Sequence, residues 1–271
     1  MPNSSINKIV TVVQARVGSS RLPYKVMLSL AGKPLLLRML ERVRAAKLTG
    51  TIVVATTEHP IDDIVVETAR REGYEIFRGD ENDVLSRHYH AARLFEADTV
   101  VKIPSDCPLI DPHIINRVIQ FYIDHIGDYD YVSNLHPATF PDGNDVEIFS
   151  LSALQRAYKE AVQDFEREHT TPYIWEHPNL FKVGNVCWET GEDFSMTHRF
   201  TIDYEEDYLF IRSVYDHLYQ RNPMFGLYDI LQLLSHEPEL LNLNIKFNGV
   251  NWYRHHLHQL KTVTPLQTKV I

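Results

Sequence analysis

Only two of the 271 residues are cysteine, Cys107 and Cys187. That is too few for a disulfide scaffold and fits a reducing, cytosolic setting. Long apolar runs are missing too, since none approaches the roughly 18 residues of a membrane span. The polar stretch Met1–Asn7 contains no apolar core bounded by a cleavage site, so no signal peptide is expected. Positive charge is in deficit: 27 Lys and Arg stand against 36 Asp and Glu, a net charge of −9. Such a chain supplies no basic field, and neither a nucleic-acid partner nor a membrane is expected. Internal repeats and low-complexity segments are absent. With 44 % hydrophobic residues the chain can bury a core without staples, which excludes a disordered or fibrous class.

The hydrophobic patterning predicts alternating strands and helices. Lys8–Gln14 (KIVTVVQ) and Thr51–Thr57 (TIVVATT) are β-branched runs of the kind buried on both faces of a parallel sheet. Tyr74–Phe77 and Thr99–Pro104 continue the series. Between them, Gly32-Lys33-Pro34 opens one helix, His59-Pro60 starts a second that Gly73 stops, and Asn82–Glu96 forms a third. Asp111-Pro112 caps a fourth. Four strand–helix units with short connections predict an α/β, Rossmann-like, doubly wound and mostly parallel sheet with helices on both faces. Beyond Asp128 the pattern loosens. Strands are expected over Tyr129–Leu135, Asp145–Phe149, Phe181–Trp188 and Arg199–Ile202 (RFTI), and helices over Leu151–Gln163, Thr171–Glu176 and Glu205–Tyr219. The expected layout is a single domain over 1–271, with an inserted arm at 135–198 for acceptor or dimer contacts and a helical C-terminal extension over 220–271.

In open parallel sheets, ligands lie beyond the carboxyl ends of the strands. The loop after the first strand, Gln14 to Lys25, carries three cations (Arg16, Arg21 and Lys25), Gly18 and the hydroxyls of Ser19 and Ser20. Backbone N–H groups from Ala15 to Ser20 can approach a polyphosphate while the cations neutralise it. A Walker loop requires Gly-Lys where this chain has Pro23-Tyr24, and no G-x-G-x-x-G is present. A solvated basic loop would explain the cations equally well on most surfaces, but not so readily at the carboxyl end of the first strand of an acidic chain.

The stretch QARVGSSRLPYKVMLSLAGKPLL resembles the A-R-x-x-S-x-R-x-P-x-K signature of sugar-activating cytidylyltransferases, including CMP-acylneuraminate and CMP-3-deoxy-manno-octulosonate synthetases. GDENDVLSRHYHAA, PSDCPLIDP and REHTTPYI are similar to a narrower branch, named for spore coat polysaccharide biosynthesis. The resemblance covers about Ile9 to Tyr219. It implies a nucleotidyltransferase fold, CTP, Mg²⁺, pyrophosphate release and a homodimer, and names no particular sugar.

Asp106 ends the strand-and-turn TVVKIPSD, and Asp203 follows RFTI in DYEED. Mg²⁺ takes one or two carboxylates together with phosphate oxygens and water, so these two are the candidate ligands. The resemblance places its metal-binding Asp at Asp106 and the Asp of its D-x-x-E-D pattern at Asp203. A turn cap at Asp106, or an N-cap at Asp203, is the plainer reading of each. The resemblance also assigns pyrimidine reading to the end of the second strand, with Thr56, and to Arg78–Arg87, with Asp80, Asp83 and Arg87. Asp142, Asp145, Glu147, Arg167 and His169 in the arm are candidates for the acceptor, Arg167 being suited to a planar anion. Cys107 reads as a packing residue, and His255, His256 and His258 as a solvated tail without zinc spacing.

These features predict a Mg²⁺-dependent transfer of CMP from CTP to a sugar-like acceptor. Nucleotidyl transfer needs charge stabilisation and positioning more than covalent catalysis. A glycosyltransferase using a nucleotide-sugar would share the Asp at a strand end but not require the loop cations. An inactive nucleotide-binding protein would be expected to lack Lys25, Asp106 or Asp203, and all three are present.

Overall fold

A computed structural model describes residues 8–271; the polar Met1–Asn7 segment lies outside the described residues. Seven strands form the main sheet: β1 (Ile9–Gln14), β4 (Thr51–Thr57), β5 (Glu75–Gly79), β6 (Thr99–Pro104), β7 (Tyr131–Ser133), β8 (Glu147–Ser150) and β9 (Val183–Asn185). Their order is β5-β4-β1-β6-β8-β7-β9. The first four are parallel, with Val12 opposite Val53 on one side and Lys102 on the other. β8 then runs antiparallel to both β6 and β7, and β7 pairs parallel with β9. The strand order reverses between β1 and β6, so the crevice of an open α/β sheet opens beyond the carboxyl ends of those two strands.

Burial on both faces follows from the side-chain alternation of the strands. Val10 and Val12 pack with α3 (Val84–Leu94), α5 (Leu151–Glu160), α6 (Asp164–His169) and α7 (Pro172–Trp175). Val13 points into the opposite layer with α1 (Leu35–Ala45), α2 (Asp63–Arg71), α4 (Pro112–Asp124), α8 (Glu205–Leu218) and α9 (Leu227–His236). Each buried Val or Leu contributes roughly 1.5–3 kcal/mol relative to exposure. No helix among the described residues is long and apolar enough to cross a membrane.

Several expectations need correction. Gly32-Lys33-Pro34 does not open α1 directly; β2 (Ser29–Leu30) and β3 (Lys33–Pro34) form a small hairpin first, and the helix begins at Leu35. Arg199–Ile202 is buried but is not a strand. Phe200 donates its N–H to Asp142 O (2.7 Å) and Ile202 to Asp106 O (2.9 Å), so loops satisfy its backbone in place of a ladder. Helix α6 is additional to the expected set. The 135–198 segment contributes β8 and β9 to the main sheet. The C-terminal segment packs through Val250, Leu260 and Val263, and His256 lies 5.1 Å from the Phe165 ring, while His255 and His258 are exposed as expected.

Asp111 ties two of the helices together. Its Oδ1 accepts the His113 N–H that opens α4 (2.7 Å), and its Oδ2 accepts the Leu227 N–H that opens α9 (2.6 Å). Gly226 is required beside it, because a Cβ there would stand 2.7 Å from Asp111 Oδ2. Asp111→Ala is expected to cost about 2–4 kcal/mol, from two caps at roughly 1–2 kcal/mol each, and Asp111→Asn about half as much. Urea unfolding with an unchanged m-value measures it; a loss under about 1 kcal/mol would show that the shared cap is dispensable.

Candidate active site

The loop leaving β1 is fixed from below. Asp62 is buried, and its carboxylate accepts the Val17 N–H (2.8 Å) and the Thr57 hydroxyl. Val17 O in turn accepts the N–H groups of Ser19 (2.9 Å) and Tyr24 (3.0 Å), curling Gly18–Pro23 outward. Tyr24 sits at φ 57°, a left-handed conformation uncommon for a bulky side chain, immediately before the turn that carries Lys25. A Cβ on Gly18 would meet only the Glu81 carboxylate, at 3.6 Å, so no close protein contact demands glycine there. Ser19 Oγ accepts the Leu22 N–H (3.3 Å), and Ser20 is exposed. Arg16 pairs with Glu81 at 3.2 Å.

Lys25 turns inward from this loop. Its Nζ lies 3.1 Å from Asp106 Oδ2 and 2.9 Å from Asp203 Oδ1, and donates to Ile202 O at 2.7 Å. Arg21 reaches the same Asp203 Oδ1 at 2.6 Å. The structure thus brings together four residues that lie up to 182 positions apart by number, from Arg21 to Asp203. Asp203 is not at a strand end. It is carried there because the chain before it bonds to Asp106, whose carbonyl accepts Ile202 N–H and the Thr201 hydroxyl (3.1 Å). Burial opposes charge on Asp203, but Lys25, Arg21 and Arg199 outweigh it and hold the carboxyl down to about 2. No group of three or more His, Cys, Asp or Glu able to hold a metal occurs among the described residues. Two hard carboxylates facing one cation suit Mg²⁺ when phosphate oxygens and water complete its shell.

The sequence-predicted base readers separate into two sets. Asp80 Oδ1 accepts the N–H groups of Asn82 (2.8 Å) and Asp83 (3.0 Å), a turn cap. Asp83 caps α3 through the Ser86 N–H (2.8 Å) and takes the Nε of Arg167 at 2.8 Å. Asp83 and Arg167 therefore engage each other between α3 and α6 on one face of the sheet, and Arg167 does not line the cleft. Thr56 and Arg87 differ: both are buried, and Thr56 Oγ1 and the Arg87 Nε and Nη1 have no protein partner. Gln14 Oε1 is unpartnered as well. Burial, then Arg16, lowers the Arg87 pKa to about 10. Buried unpaired groups of this kind mark places where a ligand atom completes the hydrogen bonding.

Beside the carboxylates lies a cleft of about 210 Å³, lined by Asp142, Asp145, Glu147 and His169 among the expected residues. Asp145 Oδ1 accepts the Gly143 N–H (3.1 Å), and burial with the nearby Asp106 pushes its carboxyl up to about 6. Gly143, at φ 103°, leaves room for the chain at Phe200, which a Cβ would meet at 2.6 Å. Glu147 is bound to Lys102 and accepts the Tyr131 hydroxyl (2.7 Å) and the Thr171 hydroxyl (2.5 Å). Sequence reasoning missed Asp62, Lys102 and Arg199, each polar and buried, and the cleft residues Trp252 and Arg254. A polar residue inside a β-branched run, as in TVVKIP, was the one available signal for Lys102.

A family model described as cytidylyltransferase matches residues 10–235. The chain belongs to the cytidylyltransferase family. It is 35% identical over 238 residues to an uncharacterized protein of Methanocaldococcus jannaschii, covering 88% of this chain and 94% of that one. It is 32% identical over 240 residues to the spore coat polysaccharide biosynthesis protein SpsF of Bacillus subtilis, covering 86% and 97%. Its structure is similar to that of a cytidylyltransferase from Leptospira borgpetersenii, with a TM-score of 0.82, 34% identity and coverage of 87% and 97%. This cytidylyltransferase is a nucleotidyltransferase of Rossmann-like fold, and the loop, Lys25, Asp106 and Asp203 all lie within the matched span.

One buried histidine, His88, and two half-buried ones, His136 and His169, are expected to give the stability of the cytidylyltransferase a pH dependence. Burial lowers His136 to about 4, and His88 and His169 to about 3. The unfolded chain takes up these protons near 6.5 while the folded one does not, so their contribution is complete above 6.5 and is lost as pH falls to about 4 for His136 and about 3 for His88 and His169. Each contributes a slope of about 1.4 kcal/mol per pH unit at full protonation of the unfolded state. His169→Phe, which preserves a ring, is expected to reduce the slope by about one proton. Urea unfolding from pH 7 to pH 5 gives the slope; an identical slope in the variant would show His169 titrating normally.

Proposed function

We propose that this cytidylyltransferase moves CMP from CTP to a hydroxyl of a sugar or sugar-like acceptor, releasing pyrophosphate, in surface polysaccharide or glycoconjugate biosynthesis. The observation that carries this reading is the Lys25 ammonium between Asp106 and Asp203 at the strand-order reversal, under a loop bearing Arg16 and Arg21. Arg16, Arg21 and Lys25 hold the β- and γ-phosphates and stabilise the departing pyrophosphate, and the backbone around Gly18 leaves space for their oxygens. Asp106 and Asp203 would hold Mg²⁺, which when bound polarises the α-phosphate as a Lewis acid. The unpaired Arg87 donors suit the carbonyl and ring nitrogen of a pyrimidine, and Gln14 Oε1 suits an exocyclic amine. The acceptor enters from the cleft beside Asp145 and His169. A cytoplasmic homodimer is the proposed setting, with Cys107 buried as a free thiol.

Calorimetric titration in Mg²⁺ is expected to show CTP binding more tightly than ATP or GTP; equal or tighter ATP binding would overturn the pyrimidine assignment. Lys25→Ala should weaken CTP by about ten- to a hundredfold, one charge-assisted hydrogen bond of roughly 1.5–3 kcal/mol, and CMP far less. Equal losses for CTP and CMP place Lys25 away from the terminal phosphates.

Asp203 is not the cap of α8: the Asp203 and Tyr204 N–H groups at its start go to Asp207, while the Asp203 carboxylate faces Lys25, Arg21 and Arg199. Asp203→Asn, which keeps the size but loses the charge, therefore tests the metal-ligand reading. Turnover, read as pyrophosphate release across phosphorylated and 2-keto-3-deoxy sugars, should fall by orders of magnitude and recover in part with excess Mg²⁺ or Mn²⁺. Asp106→Asn should behave alike. Near-normal turnover with unchanged metal dependence removes the varied residue from the metal site.

A further inference from the structure

The wall of the cleft that faces the acceptor is built by residues beyond the span shared with the family. The family match ends at residue 235, and Val250–Arg254 folds back from the C-terminal segment to line the cleft. The return is anchored at several points. Arg199 Nη1 donates to Val250 O at 2.7 Å, Asn251 Nδ2 to Gln267 O at 2.8 Å, and Lys269 N to Gly249 O at 2.6 Å. Phe247 stacks on Tyr204 with ring centroids 3.8 Å apart. Trp252 is thereby laid flat on His169, at 3.9 Å and 18° between planes.

Arg254 is the odd member of this wall. The other cations lining the cleft are neutralised: Arg21 by Asp203, Lys102 by Glu147, and Arg199 by Asp142, Asp203 and Asp207. Arg254 has no carboxylate in reach among the described residues. Its Nε donates to His255 Nε2 (3.0 Å) and its Nη2 makes a long contact to the Tyr204 hydroxyl (3.4 Å). Its Nη1 is buried with no partner at all. An unpaired, buried guanidinium N–H costs free energy that a ligand oxygen would recover.

We propose that Arg254 is the acceptor-recognition cation of this enzyme, taking an anionic group, carboxylate or phosphate, on a sugar that lies against the Trp252–His169 face. The inference rests on the reading of the cleft as the acceptor site. Arg presents a planar fork matched to either anion, and the aromatic pair offers a rigid apolar surface beside it. Arg254 is thus a specificity-determining residue that the loop and carboxylates within the matched span do not supply.

The test uses the full chain with two simple probes, pyruvate for a carboxylate and inorganic phosphate for a phosphate. Each is titrated calorimetrically into wild type and Arg254→Gln, both free and saturated with CTP, whose phosphates occupy the loop cations. The wild type is expected to bind one or both probes at millimolar concentration. Arg254→Gln should weaken that binding by about tenfold or more, with CTP affinity held within about twofold, and Arg254→Lys should lose less. The tighter probe identifies the anion. Wild type binding neither probe, or Arg254→Gln binding both as tightly as wild type, overturns the proposal. A wild type that does not bind CTP overturns the nucleotide reading instead, and the comparison in the free protein still decides for or against Arg254.

Discussion

The Arg199 guanidinium holds this active site in shape. Its side chain is 1% exposed, and it reaches Asp207 Oδ1 at 2.9 Å, Asp142 Oδ2 at 3.1 Å and Asp203 Oδ2 at 3.2 Å. Burial pulls its pKa down, but Asp142 and Asp207 outweigh that and drive it upward. Asp207 returns the support by accepting the Asp203 N–H (2.9 Å) and the Tyr204 N–H (3.1 Å) at the start of α8. Asn244 closes the circuit, donating to Arg199 O at 2.9 Å and to Asp207 Oδ1 at 3.0 Å. Three chain segments, two of which meet only in a single parallel bridge between Asp142 and Arg199, thus share one ionic joint. Removing one partner of a buried pair typically costs about 3–5 kcal/mol, because the remaining charge is left uncompensated.

Such joints are expensive compared with apolar packing, so their placement calls for a reason beyond stability. Here it is charge geometry. Arg199 takes one oxygen of Asp203 from behind and leaves the other, Oδ1, to Lys25 and Arg21 in front. The carboxylate is held ionised and oriented toward the loop, while the cations that face it arrive on a chain fixed by Asp62. Preorganised charge of this sort is what nucleotidyl transfer requires, since the protein must stabilise a departing polyanion without first rearranging. Asp145, pushed up to about 6 by burial and the nearby Asp106, lies close to this carboxylate pair but outside the reach of its cations.

What was legible in the sequence was what a short stretch of chain decides for itself. β1, β4 and β6 announce themselves as β-branched runs buried on both faces, and Asp111-Pro112 announces α4 because the cap and the fixed proline φ act within one turn. The cationic loop was legible because Arg16, Arg21 and Lys25 all lie within eleven residues of the end of β1. RFTI misled for a physical reason: its alternating apolar residues are buried as a strand's would be, but its N–H groups bond to the loops at Asp106 and Asp142. Asp83 and Arg167, 84 residues apart, each carried a plausible ligand role until folding set them against each other. No local pattern contains that information.

The two halves of the cleft differ in just this respect. The proposed nucleotide half is assembled from the ends of β1 and β6, whose positions the sheet dictates, and from Asp203, which the Arg199 joint carries there. The proposed acceptor half is assembled from β6, the loop before β8, the region after α6 and Val250–Arg254, and most side chains there already have structural partners. Lys102 serves Glu147, and His169 serves Trp252. A residue in such a place is informative when its partner is missing, as for Arg254 Nη1. Val250–Arg254 is fastened through Val250 O and the Asn251 side chain, with Gly249 O holding the residue before it, while the Arg254 side chain meets only His255 and Tyr204. Changing Arg254 therefore leaves the contact to the Arg199 joint in place, which keeps the proposed acceptor contact apart from the charges that hold Asp203.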